Sequence, residues 1–210
     1  MRFLIKLVVF AMVASCLLEG WSLGRDHQKL TDDLIRLHVV AASDTAEDQQ
    51  TKLQVRDAVI GFVDEAMTHV MTYEEAKVWV EANLPEIQQA ANDVLDRLGS
   101  AYEAVVTFTR EAFPKREYDS FSLPAGVYQS LRITLGPGDG HNWWCVVFPS
   151  LCMPAAGEDT ESVAAGAGFS DTLTDTVTGK QGYQVRFYIL DVLGRLENFF
   201  FDRKWAVHAP

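Results

Sequence analysis

Residues 7–18, LVVFAMVASCLL, form an unbroken apolar run preceded by Arg2 and Lys6. The run is short for a bilayer span and has the make-up of an export-signal core. Past Asp26 the pattern shortens its period. In residues 34–43, LIRLHVVAAS, Ile35, Leu37 and Val39 fall on one face and Arg36 and His38 on the other, which predicts a strand that feeds a helix at Ser43 and Asp44. From residue 46 to about 70, Leu53, Val55, Val59, Phe62, Val63 and Met67 recur at helical spacing and give one broad apolar stripe. Thr72 and Glu75 form a capping box for a second helical stretch, residues 72–98, which Pro85 kinks or divides and Gly99 stops.

Three strand-like runs follow, residues 103–108, 126–135 and 142–148. The last two flank GPGDG, a sequence suited to a hairpin turn. Residues 155–182 are rich in Ala, Gly, Ser, Thr and Asp with almost no large apolar side chain, and read as a linker or insertion. After them Val185, Ile189, Val192, Leu193, Leu196 and Phe200 recur as in an amphipathic helix, whose expected role is docking on the core and not membrane-surface binding, since its polar face lacks the basic excess that anionic lipid favours.

The expected fold is therefore α+β: a small, mainly antiparallel sheet with a β-hairpin over residues 126–148, covered by two to three amphipathic helices, plus a C-terminal helix. The strand at 34–40 joins the same sheet, because its alternation leaves one face to bury. The expected division is 1–24 as signal peptide or N-terminal membrane anchor, 25–154 as the main domain, 155–182 as linker and 183–210 as C-terminal helix.

A chain of 210 residues, 48% hydrophobic and 22% charged, is long enough for one well-packed core. The formal net charge of −11 leaves no positive field to neutralise phosphates, so nucleic acid is not an expected partner. Two processing readings compete at the N-terminus. Ser22, Leu23 and Gly24 suit cleavage before Arg25, whereas VASC resembles a lipoprotein box with Cys16 as the lipidated residue; an uncleaved anchor is the third reading.

Residues 136–152, GPGDGHNWWCVVFPSLC, concentrate the candidate chemistry. His141 and Cys145, four apart on a strand, would stand roughly 13 Å from each other, too far for a nucleophile and its base. With Cys152 they lack the fourth ligand of a structural zinc site unless His38 or His69 supplies it. In an exported protein, Cys145 and Cys152 on either side of Pro149 are well placed to bridge. Trp143 and Trp144 point to opposite faces of the strand, one to the core and one to a more exposed position.

Two segments together resemble a known family. IRLHVVAASDTAEDQQTKLQVRDAV, residues 35–59, and AGVYQSLRITLGPGDGHNWWCVVFPSLC, residues 125–152, look like the signature regions of stage II sporulation protein R, an exported signalling protein of endospore-forming bacteria. Ala42 departs from the pattern, which usually has Asn there. The resemblance implies a protein made in the forespore and secreted into the space between forespore and mother cell. There it would activate a membrane-bound aspartic protease of the mother cell that matures the sigma-E precursor.

It would be a ligand, with no cofactor or metal and no catalytic residue of its own. The positions carried over are Arg36, His38, Ser43, Asp44, Asp48, Gln49, Lys52, Arg56 and Asp57 from the first segment. From the second they are Tyr128, Arg132, Gly140, His141, Asn142, Trp143, Trp144, Cys145 and Cys152. Ser43 and Asp44 read most simply as helix caps, the Lys52, Arg56, Asp48 and Asp57 charges as an ordinary helix face, and Arg132 as the partner of a carboxylate. His141 and Asn142 sit at the hairpin mouth, where they are presented to a partner or satisfy the loop itself. The rival reading is a secreted hydrolase of cell wall or peptide, using Cys145 or His141 with an acid such as Asp139.

Overall fold

The computed structural model describes residues 2–67, 72–118, 121–150, 152, 171–179 and 184–208. Its centre is a four-stranded mixed sheet built from β1 (Ile35–Val40), β2 (Ala104–Phe113), β5 (Gly126–Leu135) and β6 (Asn142–Phe148), in the order β2-β5-β1-β6. The short strands β3 (Arg116–Glu117) and β4 (Ser122–Leu123) make a separate ribbon. The described helices are α1 (Arg2–Asp32), α2 (Ala46–Met67), α3 (Tyr73–Ala82), α4 (Leu84–Arg97), α5 (Asp171–Val177) and α6 (Gln184–His208). The α+β class and the membership of β1 in the sheet agree with the sequence reading.

The hairpin does not form. β5 and β6 are separated by β1, which runs parallel to β5 (His38 opposite Arg132) and antiparallel to β6 (His38 opposite Trp144). The Gly-rich loop therefore does not turn back on its own strand; it arches over the C-terminal end of β1. The backbone amides of Asp139 and Gly140 bond the carbonyls of Ala42 and Ala41 at 3.2 and 3.0 Å, and a Cβ on Gly140 would lie 2.2 Å from the carbonyl oxygen of Ser43. Glycine is needed there for close approach of two backbones. Two of the three strand pairings are antiparallel, so the sheet keeps its mainly antiparallel character.

Both faces of the sheet are covered where β1 lies, and all six of its residues are buried. On one face Ile35, Leu37, Val39, Leu131 and Ile133 pack with Val55, Val59 and Val63 of α2 and Ile87, Ala91 and Leu95 of α4. On the other, Phe113, Tyr128 and Val146 pack with Leu30 of α1, Phe121, Leu123, Leu173 of α5 and Leu190 of α6. The alternation in β1 thus misleads: Arg36 and His38 occupy the second interior, not a wet face.

Several boundaries differ from expectation for identifiable reasons. β2 runs five residues beyond the expected 108, because TREAF is polar enough to read as loop yet pairs with β5 as far as Phe113. Its edge amides at Ala104 and Val106 are met by Asn92 and Gln88 of α4, at 2.8 and 3.2 Å. α1 continues past residue 24 to Asp32, since Leu23, Leu30 and Thr31 bury one stripe against the domain. Within the expected linker, 171–177 is helical and buries Leu173 and Val177; residues 155–170 and 180–182 of that stretch, and residues 68–70 at the end of the expected first helix, lie outside the described residues. Thr72 and Glu75 make the reciprocal capping box, and Pro85 stands in the first turn of α4, dividing it from α3. α6 docks as expected, crossing so close that a Cβ on Gly194 would sit 1.6 Å from the Ala125 carbonyl oxygen.

Candidate functional site

The loop before α2 and the loop before β6 meet at the C-terminal end of β1. Asp44 accepts a hydrogen bond from the His141 amide at 2.7 Å, and its carboxylate also contacts the His141 ring at Nδ1. Those two bonds, the ring's first, hold the Asp44 carboxyl below its ordinary pKa. Asp44 is not a helix cap. Thr45 takes that role, its hydroxyl accepting from the Asp48 amide at 3.2 Å, while Ser43 donates to the Asp48 carboxylate at 2.5 Å.

Beneath this contact Lys52 is buried, its ammonium donating to the Gln49 side chain at 2.6 Å and to the His141 carbonyl at 2.9 Å. Burial, and then the charge of Arg56, pull its pKa down. A lysine read from sequence as surface charge is instead the bolt between the two loops. Gln49 completes it by donating to the Ser43 carbonyl at 2.8 Å.

Beside the bolt, on the α2 side of β6, Trp143 is 38% exposed and the Arg56 guanidinium lies 4.2 Å from its ring centre, itself paired with Asp57 at 2.6 Å. Trp144 points to the opposite face, as its register dictates. There it stacks on His38 at 5.6 Å, with the Arg116 guanidinium 3.6 Å from its ring centre. Holding each tryptophan under a cation fixes its rotamer in advance of any contact.

On that face His38 joins Asn142 through Nε2 at 2.9 Å and Glu111 through Nδ1 at 3.2 Å, and Arg132 donates to Glu111 at 2.7 Å. Burial raises the Glu111 carboxyl, but the bonds from His38 and Arg132 outweigh it and hold the pKa at about 2, against 4.5. A depressed folded-state pKa gives stability that is present above pH 4.5 and lost as pH falls toward 2. Urea unfolding at pH 6 and pH 3 should therefore show a steeper acid loss for the native chain than for Glu111→Gln, which starts less stable and has the flatter profile. Equal slopes would mean that Glu111 carries no linkage.

Arg36 and Tyr128 are brought close to this network but not to the surface, since both are completely buried. The Arg36 guanidinium lies 4.2 Å from the Phe113 ring centre and 4.9 Å from that of Tyr128, and donates to the Tyr118 hydroxyl at 2.7 Å. Tyr118 in turn donates to the Trp144 carbonyl at 3.4 Å. Burial pushes the Tyr128 hydroxyl pKa up, and it donates to the Pro124 carbonyl at 2.8 Å. These two residues position the strand; His38, 8% exposed, does the same. The residues within reach of a partner are Asp44, Arg56, Arg132, His141, Asn142 and Trp143, with Trp144 half-buried.

Sequence reasoning missed Glu111, Arg116 and Tyr118, all in the stretch between the expected strands 103–108 and 126–135. The alternation of Thr107, Thr109, Glu111 and Phe113 was the available signal for the first of them.

Cys145 and Cys152 lie at disulfide distance with Cα atoms 5.6 Å apart, and Cys145 is 5% exposed in the core beside α2. Cys145→Ser, Cys152→Ser and the double variant should each lose the same ~2–3 kcal/mol by chemical denaturation, because one bond is removed in all three. His141 turns to Asp44 and not to Cys145, so the nucleophile and base of the rival hydrolase are not assembled. Among the described residues no three His, Cys, Asp or Glu side chains converge as metal ligands.

Comparison with known proteins places this geometry. The family model for stage II sporulation protein R matches residues 31–158, which contain both loops and every strand of the sheet. Stage II sporulation protein R of Bacillus subtilis (strain 168) is 32% identical over 185 residues, covering 80% of this chain and 83% of that protein. No solved structure matches the chain.

Proposed function

The chain belongs to the stage II sporulation protein R family, and from that premise we propose that it is an exported sporulation signal. In this reading it activates a membrane-bound aspartic protease of the mother cell, which then processes the sigma-E precursor. It acts as a ligand and not as an enzyme, in the space between forespore and mother cell. α1, an N-terminal helix long and apolar enough to cross a membrane, suits export by signal peptide or anchor.

One observation carries the site: Asp44 and Lys52 from the first family segment grip His141 from the second. The result is a single rigid, exposed surface with Trp143 at its margin. A preordered surface loses little side-chain entropy on binding, and an exposed aromatic in such a setting is a favoured anchor.

Trp143→Ala should leave export and thermal stability nearly intact but cost on the order of 2 kcal/mol in affinity for the protease, roughly a thirty-fold loss. The readout is sigma-E precursor processing in sporulating cells that export the variant at normal level. Unimpaired processing would remove Trp143 from the contact.

A further inference from the structure

α6 has two apolar faces, and the domain uses one. The docked face carries Leu190, Gly194 against Ala125, Asp191 bonded to the Ala125 amide at 3.0 Å and Asn198 bonded to the Phe113 carbonyl at 2.8 Å. On the other side Ile189, Val192, Leu193, Leu196 and Phe200 recur at helical spacing in a solvent-facing stripe, with Leu196 51% and Phe200 59% exposed. A contiguous stripe of this kind on a folded domain marks a surface made to be covered.

Its contacts with α1 say what covers it. Arg186, near the start of α6, reaches Ser22 at 3.1 Å and also pairs with Asp26, while Glu197 reaches His27 at 3.9 Å. The partners of Arg186 on α1, Glu19, Ser22 and Asp26, begin where the apolar run of α1 ends, and α6 is tied to α1 from there as far as His27.

α1 is buried at Leu30 and Thr31 and leaves the domain toward its lower numbers, becoming exposed through Leu18 and Phe10. Trp21, 67% exposed, stands where the apolar run of α1 ends, with the Arg25 guanidinium 5.2 Å from its ring centre. Aromatic side chains beside a cation at such a junction suit the headgroup layer.

We propose that α6 is an interfacial helix, its stripe of Ile189, Val192, Leu196 and Phe200 lying in the surface of the same bilayer that α1 enters. The sequence of α6 balances Arg186, Arg195, Arg203 and Lys204 against three acids, within a chain of net charge −11. Like α1, the helix thus lacks the acidic excess of the chain as a whole, and an anionic surface does not repel it. The consequence is orientation: α1 and α6 together fix the domain on the membrane by two elements. This inference stands apart from the receptor contact proposed above, which lies on other elements.

The test uses the full chain with Cys16→Ser, inserted through α1 into vesicles of phosphatidylethanolamine and phosphatidylglycerol. One fluorophore is attached at Leu196→Cys, or at Glu86→Cys on α4 as control. Replacing part of the lipid by its brominated form should lower the emission at residue 196 at least about two-fold and leave residue 86 nearly unchanged, as expected for a side chain about 5–10 Å into the headgroup boundary. Equal, weak quenching at both positions would overturn the proposal. So would a residue 196 fluorophore shielded from aqueous iodide but not quenched by bromolipid, with the shielding lost on dilution of protein in the membrane. That result would assign the stripe to a second copy of the chain.

Discussion

Gly140→Ala should lower the unfolding midpoint by roughly 5–10 °C and abolish protease activation even in the fraction that stays folded. The cause is the 2.2 Å approach of a Cβ to the Ser43 carbonyl oxygen, a backbone atom that cannot rotate away. To make room the loop must lift off the end of β1, which stretches the amide bonds of Asp139 and Gly140 to Ala42 and Ala41. It must also pull the His141 carbonyl away from Lys52, leaving a buried ammonium with one partner. Overpacking of this kind costs about 1–3 kcal/mol, and an under-satisfied buried charge adds to it. Thermal melting and sigma-E precursor processing measured on the same variant check both halves. A melt unchanged from native would show that the two loops are not locked together.

Arg36 gives the second large effect, in which stability and function part. Arg36→Ala opens a cavity between Phe113 and Tyr128 and should destabilise by roughly 2–5 kcal/mol. Arg36→Met fills nearly the same volume without a charge. The buried guanidinium has no hydrogen-bond partner at Nε or Nη1, so the methionine variant should melt at or above the native temperature. It nevertheless takes away the donor to Tyr118, whose hydroxyl reaches the Trp144 carbonyl. Processing should therefore fall in a chain that is at least as stable as native. Normal processing with raised stability would reduce Arg36 to an ornament of the core.

These two residues also show what the sequence made legible. Gly140 belonged to a stretch whose glycines, tryptophans and cysteines drew attention at once, and β5 and β6 on either side were expected with their observed bounds. Local pattern specifies a strand because every second side chain must meet the same environment. It does not specify the neighbour, and a Gly-rich connection between two strands reads as a hairpin until a third strand, eighty-six residues earlier, is known to slip between them. The pairing of β1 with β5 is a long-range event without a local signature.

The same limit explains Arg36. Alternation in IRLHVV places Arg36 and His38 opposite the main core correctly, but whether that second face is wet depends on α1, α5 and α6, which arrive from the two ends of the chain. Short-range chemistry was more legible: the capping box of Thr72 and Glu75 and the helix break at Pro85 are each decided by residues a few positions apart. Asp44 and His141 were both singled out, yet their contact spans ninety-seven positions and Asp44 alone looks like a helix cap. Lys52 was placed on an ordinary charged face for the same reason.

The proposed contact surface is the one formed by the two loops at the end of β1. The most direct measurement places a photo-crosslinking amino acid at His141, whose side chain is 77% exposed, or at Glu86 on α4, in sporulating cells that export both chains at native level. Irradiation should join the His141 derivative to the mother-cell aspartic protease, identified by mass spectrometry of the adduct, and leave the Glu86 derivative uncoupled. An adduct from Glu86 with none from His141 would contradict the account and move the contact to the surface of α4.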